Sequence, residues 1–278
     1  MIKNDIIIYN KGSINMKFQV VSSGSKGNLT YIETKDTRIL LDAGISPKEI
    51  GVRTNIDLTR IDAILITHEH IDHCAYLLSL AKKTNALVYV NKDSFENIKI
   101  KLKNSFAGIR CCFIEGNKKY KIKDLSFYTM ILSHDCASCF GYLFVSDKES
   151  LAYVTDTGFI SVPYVELLKN VNALIIEANH DVEMLMNSDR PWYLKERILS
   201  IRGHMSNVIC GEVLNKIVCT KKVNKIILAH LSEECNDEKI AIDTVISSIE
   251  GDYIPDIFVA NQKKSLPMLS VNGDLNEN

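Results

Sequence analysis

Three of the chain's seven histidines fall within six residues, in the stretch ILITHEHIDH at positions 64–73. His68 and His70 are two apart, so an extended backbone aims both imidazoles to one side. Asp72 and His73 fall on the turn into the next helix and can aim at a second point nearby. Neutral imidazole and carboxylate are ligands for zinc, manganese or iron(II). A merely capped helix start needs no such concentration of histidine, and H-x-H-x-D-H is a rare string by chance. The spacing therefore predicts a metal site where a strand opens into a helix, the place where α/β folds put their chemistry.

Three more polar residues follow apolar runs. His134 comes after FYTMILS, Asp156 after LAYVT with a Gly158 turn behind it, and His230 after KIILA. Any one alone reads as an ordinary satisfied strand end. Four such clusters together predict one shared mouth. The eight cysteines are irregularly spaced and read as reduced thiols. Cys136 and Cys139 form a C-x-x-C pair, but no second pair lies at zinc-ribbon spacing, so the pair reads as structural.

The elements that must carry these residues alternate between strand-rich and helix-bearing stretches. Strands are predicted over 18–23, 29–34, 38–44, 62–68 and 86–90. Short helices are predicted from Ser46, from Cys74 and from Asp93. From about 111 to 155 the pattern turns to short strands. Helix, strand, helix, strand, helix and strand then follow to 260, interrupted by an irregular basic-aromatic stretch over 188–203. Residues 1–15 are expected to lie outside the domain as a non-native or disordered extension, with Met16 a second candidate start. Residues 16–264 are expected to form one domain and 265–278 a disordered tail.

With 278 residues, 46% hydrophobic and 24% charged, the composition is that of a soluble globular chain. A formal net charge of -1 points to no polyanionic partner overall. No apolar run approaches the roughly 18–20 residues of a membrane span, and MIKND does not begin a signal peptide. A cytoplasmic protein with no membrane partner is expected.

The order H-x-H-x-D-H, His, Asp, His resembles the metallo-β-lactamase superfamily over residues 17–262. Within it, SSGSKGN, DAGIS, THEHIDH, SHD, DTGFIS, EANHDVEMLMN, PWYLKERI, RGHMSN and LAHLSEECN resemble the YycJ/WalJ family of Firmicutes. The resemblance implies an α/β fold, a four-layer αβ/βα sandwich of two mixed β-sheets with helices on the outer faces and metals at one edge. It implies two divalent ions, Zn²⁺ or Mn²⁺. His68, His70 and His134 would hold the first, and Asp72, His73 and His230 the second. Asp156 would bridge them. A carboxylate has two oxygens and four lone-pair sites, so it can serve two cations ~3.5–4 Å apart. Glu69 is not a ligand in the family and is expected to be structural.

The implied chemistry is phosphodiester hydrolysis by a water or hydroxide between the metals, which Asp72 would also orient. Glu177 in IIEAN and His204 in GHMS resemble tRNase Z motifs, where a carboxylate orients a histidine that acts on the leaving group. His180 would sit beside the ligands without joining them.

Two stretches could meet a polyanion. Residues 91–123 hold nine Lys/Arg against three acids, and RPWYLKERILSIRG at 190–203 adds the only tryptophan. Such residues are usually a solvated face, but phosphate contacts and base stacking use the same types. Trp192, Lys195 and Arg202 are the candidates there, with Ser25 and Asn28 in the Gly-rich GSKGN loop. YycJ-like proteins are associated with 5′–3′ exonuclease action on double-stranded DNA, which is the leading expectation. Cyclic-nucleotide hydrolysis of the phage anti-Pycsar type and tRNase Z-like RNA processing are the alternatives. The expected partner is nucleic acid, DNA ahead of RNA, or a nucleotide; a homodimer is left open.

Overall fold

The computed structural model describes residues 16–272; the expected extension at 1–15 lies outside them. The alternating pattern of the first segment yields three antiparallel strands, β1 (Lys17–Ser22), β2 (Leu29–Glu33) and β3 (Arg38–Leu41). Beyond β3 the connections become parallel, adding β4 (Ala63–Leu65), β5 (Leu87–Val90) and β6 (Cys111–Phe113). Parallel neighbours need crossovers, and these are α1 (Pro47–Arg53), α2 (Ile71–Cys74), α3 (Leu77–Thr84) and α4 (Lys92–Leu102). α1 begins at a capping box: Ser46 Oγ accepts from Glu49 N, and Glu49 accepts from Ser46 N.

The second half repeats the plan. β7 (Lys119–Ile122), β8 (Leu125–Leu132), β9 (Cys139–Ser146) and β10 (Glu149–Val154) form an antiparallel meander. β11 (Ala173–Glu177), β12 (Lys225–Ala229) and β13 (Asp256–Val259) then add in parallel. Their crossovers are α5 (Val162–Leu168), then α6 (Val182–Asn187), α7 (Trp192–Leu199) and α8 (Asn207–Val218), then α9 (Glu238–Ser248). β14 (Leu269–Ser270) returns to pair with β1. The result is two seven-stranded mixed sheets, ordered β14-β1-β2-β3-β4-β5-β6 and β13-β12-β11-β10-β9-β8-β7.

The strand period of two sorts side chains to two faces. Phe18, Val20, Ile39 and Leu41 of one sheet meet Phe127, Phe140, Tyr142 and Phe144 of the other in a shared core. Each fully buried phenylalanine contributes about 1.5–3 kcal/mol of transfer free energy. The opposite faces are covered by helices, through Leu77, Leu80 and Ile98 on one side and Leu214, Ile217 and Val245 on the other. This is the expected four-layer sandwich.

Two expectations are corrected. Residues 188–203 are not irregular, because they contain α7. No side chain caps that helix and Pro191 stands directly before it; an eight-residue helix has little stability of its own. Tertiary contacts hold it instead. Ile198 packs with Leu185 and Cys235, and Lys195 Nζ donates to the carbonyls of Met186 and Ser188, both at 2.7 Å. The tail is also ordered through Asn272. Leu269 and Val271 are buried, Leu266 N donates to Val20 O and Val271 N donates to Met16 O, each at 2.9 Å. Residues 273–278 lie outside the described residues. Among the described residues, no helix is long and apolar enough to cross a membrane.

Candidate metal centre

The strands of both sheets deliver polar residues to one edge. Asp42 follows β3 and His68 follows β4 after two residues. His134 follows β8, Asp156 follows β10, Glu177 ends β11 and His230 follows β12. Asp42, Asp156 and His230 adopt the left-handed conformation, with φ of 65°, 60° and 57°. Few non-glycine residues do so, Asp and His more readily than most. These turns swing the chain out of the strand at the point where the side chains converge.

The ligand atoms of His68, His70 and His134 all lie within 4.8 Å of one another, as do those of Asp72, His73 and His230, and those of His68, His73 and Asp156. Asp156 spans the groups. Its Oδ2 is 3.3 Å from His73 Nε2, while its Oδ1 is 3.4 Å from His230 Nε2 and 4.0 Å from His134 Nε2. Asp72 Oδ2 is 3.3 Å from His73 Nε2 and 3.5 Å from His230 Nε2. Ligands ~2.0–2.1 Å from a tetrahedral metal sit roughly 3.3 Å apart, so these separations suit shared cations.

The nitrogens fit that occupant chemically. His68 is buried and its Nε2 has no hydrogen-bond partner. His73 Nδ1 lies 2.8 Å from Asp42 Oδ2, His134 Nδ1 3.2 Å from Gly203 O, and His230 Nδ1 3.1 Å from Glu177 Oε1. These acceptors hold a ring proton on Nδ1, so that Nε2 is the nitrogen that would give up its proton and present a lone pair to a cation. Lone pairs and carboxylates facing one another repel unless a cation lies between them. The charge balance agrees. Burial would raise Asp72, but the His73 and His230 imidazoles outweigh it and hold the carboxyl low. Burial would lower His230, but Asp156, Asp72 and Glu177 lift it to about 10. The acids thus draw positive charge into this space.

Glu177 is fully buried and stands behind the cluster. Its Oε1 is 2.7 Å from His204 Nδ1, and its Oε2 accepts from Thr157 N at 3.0 Å and Met205 N at 3.2 Å. Burial raises this carboxyl, and the two imidazoles it serves, with their hydrogen bonds, overcome that and hold it low. His204 Nδ1 lies 3.9 Å from Asp156 Oδ1. The His204 ring borders a cavity of about 160 Å³ together with Ser25, Arg190, Arg197 and Ser232.

The remaining candidates have other surroundings. Asn28 is buried, with Nδ2 3.0 Å from His73 Nε2 and 3.2 Å from Asp72 Oδ2, so it lies against the ligands. Lys195 is buried, its ammonium already held by the two carbonyls that fix α7. Arg202 donates through Nε and Nη2 to His134 O at 3.3 Å. Trp192 is 58% exposed. Glu69 accepts from Ser94 Oγ at 2.9 Å and Ala137 N at 2.8 Å, tying α4 and the loop after His134 to the site. His180 is buried beside Asn179, and its Nε2 has no partner.

Sequence reasoning missed Asp42, which anchors His73 and accepts from Thr67 N and Oγ1, both at 2.9 Å. The signal was present. Asp42-Ala43-Gly44 after β3 repeats Asp156-Thr157-Gly158 after β10, an acid and a glycine at two strand ends. Both glycines are sterically required, because a Cβ at Gly44 would meet Asp72 O at 1.8 Å and one at Gly158 would meet Ser200 O at 2.3 Å.

Comparison with known proteins gives concordant relationships. Residues 37–230 match the β-lactamase superfamily domain. The chain is 34% identical over 240 residues to the exodeoxyribonuclease WalJ of Streptococcus pneumoniae serotype 2, covering 85% of this chain and 89% of that protein. It is 33% identical to the exodeoxyribonuclease YycJ of Bacillus anthracis, covering 85% and 90%. Among solved structures, the metallo-β-lactamase fold protein YhfI of Bacillus subtilis superposes with a TM-score of 0.71 at 14% identity, over 91% of this chain and 99% of that one.

Proposed function

Since the chain belongs to the β-lactamase superfamily, in the family of the WalJ and YycJ exodeoxyribonucleases, we propose that it is a two-metal phosphodiesterase that shortens duplex DNA from its 5′ ends. The Glu177–His204 pair, 2.7 Å apart beside the His/Asp cluster, carries this reading. Lactamase or thiolester chemistry needs no such pair, whereas cleavage of a phosphodiester must put a proton on a departing alkoxide.

His68, His70 and His134 would hold one ion and Asp72, His73 and His230 the other, with Asp156 between them. Zn²⁺ or Mn²⁺ suits this donor set. When bound, the ions supply a water of lowered pKa and offset charge on the phosphoryl oxygens. The protein's own residues do the rest. Asp72 accepts a hydrogen bond from the attacking water and aims it at phosphorus. Glu177 accepts the Nδ1–H of His204, which sets the ring with Nε2 toward the leaving oxygen. The Nε2 proton then passes to that oxygen. Ser25, Arg190 and Arg197 border the cavity where a neighbouring phosphate would lie, and Trp192 offers a stacking face. The Lys195 ammonium serves α7 rather than substrate.

A second reading keeps the chemistry and changes the substrate. The cavity beside His204, at about 160 Å³, is small, and a cyclic nucleotide would suit a small pocket. The test is to incubate the protein with Mn²⁺ or Zn²⁺ and end-labelled duplex DNA, single-stranded RNA, or cyclic CMP and cyclic GMP. Shortening of duplex from 5′ ends is expected. Cleavage of cyclic nucleotides alone replaces the first reading with the second.

A further inference from the structure

Asp135 follows the candidate ligand His134 in the loop between β8 and β9. Its Oδ2 holds the guanidinium of Arg197 on α7. Its Oδ1 is buried with no hydrogen-bond partner, although an unpaired buried polar group costs about 1–3 kcal/mol. That oxygen faces two imidazoles, His134 Nε2 at 3.4 Å and His70 Nε2 at 3.9 Å.

The two rings cannot serve it alike. His134 gives its Nδ1–H to Gly203 O, so its Nε2 has no proton to donate to Asp135. His70 has its Nδ1 3.3 Å from His134 Nε2, among the ligand atoms. For that Nδ1 to present a lone pair to a cation, the ring proton must reside on Nε2, which faces Asp135. A ligating histidine ordinarily gives its other N–H to a carboxylate, carbonyl or water, which fixes its tautomer and orientation. Asp42 already does this for His73 at 2.8 Å.

We propose that Asp135 is the positioning residue for His70. Its Oδ1 receives the His70 Nε2–H and holds Nδ1 toward the first metal position. Its Oδ2 meanwhile keeps Arg197 at the cavity beside His204. The gap of 3.9 Å closes as the site loads, since hydrogen bonds of this kind are often long without ligand. One carboxylate thereby ties a metal position to the substrate cavity. The inference rests on the reading of His70 as a ligand.

The test titrates Zn²⁺ and Mn²⁺ against a chromogenic chelator in the full chain and in Asp135→Ala, Asp135→Asn and Arg197→Gln, with Tm recorded for each. In Asp135→Ala, one ion should bind ~10–100-fold more weakly and the other should change by less than about threefold. Asp135→Asn, which keeps an acceptor for His70, should recover most of that loss. Arg197→Gln should leave both affinities in place while raising KM for duplex DNA. Affinities in Asp135→Ala within about twofold of the parent for both ions would overturn the role of Asp135 alone. So would loss of both ions with a fall in Tm, the mark of a merely structural residue. A parent chain that binds no divalent ion overturns the metal reading itself.

Discussion

Glu177 Oε1 stands 2.7 Å from His204 Nδ1, and the same oxygen lies 3.1 Å from Nδ1 of His230. One buried carboxylate therefore orients both a candidate ligand and the candidate proton donor. Their geometries are set together: the His204 ring cannot tilt without disturbing the anchor of His230 in the candidate cation site.

The two histidines can still be separated by experiment. His204→Ala is expected to keep both metals and lose turnover by ~10²-fold or more. Glu177→Gln is expected to lose turnover and weaken one metal as well, because His230 loses its charged partner. Metal content by atomic absorption, read beside duplex cleavage, checks both. Full turnover in His204→Ala removes the assignment.

Asp42→Ala tests the anchor behind His73. With the 2.8 Å contact gone, the imidazole loses its fixed tautomer, and metal affinity should fall ~10–100-fold. A chelator competition assay reads this directly, and unchanged affinity would show that His73 needs no orienting partner.

His180 predicts a pH effect on stability. Burial pushes its imidazole down to about 4, against the pull of Glu177. The unfolded chain takes up this proton near the ordinary value of 6.5, so between about 6.5 and 4 the unfolded state binds more protons and stability falls as pH falls. Between pH 7 and pH 5 the contribution is roughly 2 kcal/mol. In chelator, the unfolding free energy of the parent chain read from urea titrations should fall by that much more than that of His180→Gln. Parallel drops in the two proteins would falsify the link.

Leu269→Ala addresses the ordered tail. The side chain is buried in the core between the sheets, so truncation should destabilise the fold by about 2–3 kcal/mol. A disordered tail would give no change in the urea midpoint.

Much of this architecture can be read from local pattern. The antiparallel strands alternate with period two, and the sandwich follows from where strands and helices alternate. His134, Asp156 and His230 stood out as residues just past apolar runs, where the backbone must leave a sheet, and the resemblance to the metallo-β-lactamase superfamily joined them to HEHIDH at 68–73 as one ligand set. Asp42 was overlooked because its partner, His73, lies 31 residues on, and no spacing rule joins an acid in one strand turn to an imidazole in another. α7 was missed for a related reason. Its order derives from Ile198, Lys195 and distant packing, not from caps or length. β14 is two residues long, and only the exposed edge of β1 gives it meaning. Pairing across more than 240 residues leaves no trace in a short window.

The left-handed turns at Asp42, Asp156 and His230 have a consequence for how such a chain can change. A non-glycine residue in that conformation carries strain of about 1–3 kcal/mol, and glycine carries almost none. Backbone economy alone therefore favours erasing three residues of the candidate site. A population selected only for heat resistance would drift toward glycine at these positions, keeping the sandwich while emptying its edge of chemistry. A random-mutant library sorted first for folding and then for cleavage would read the two demands position by position.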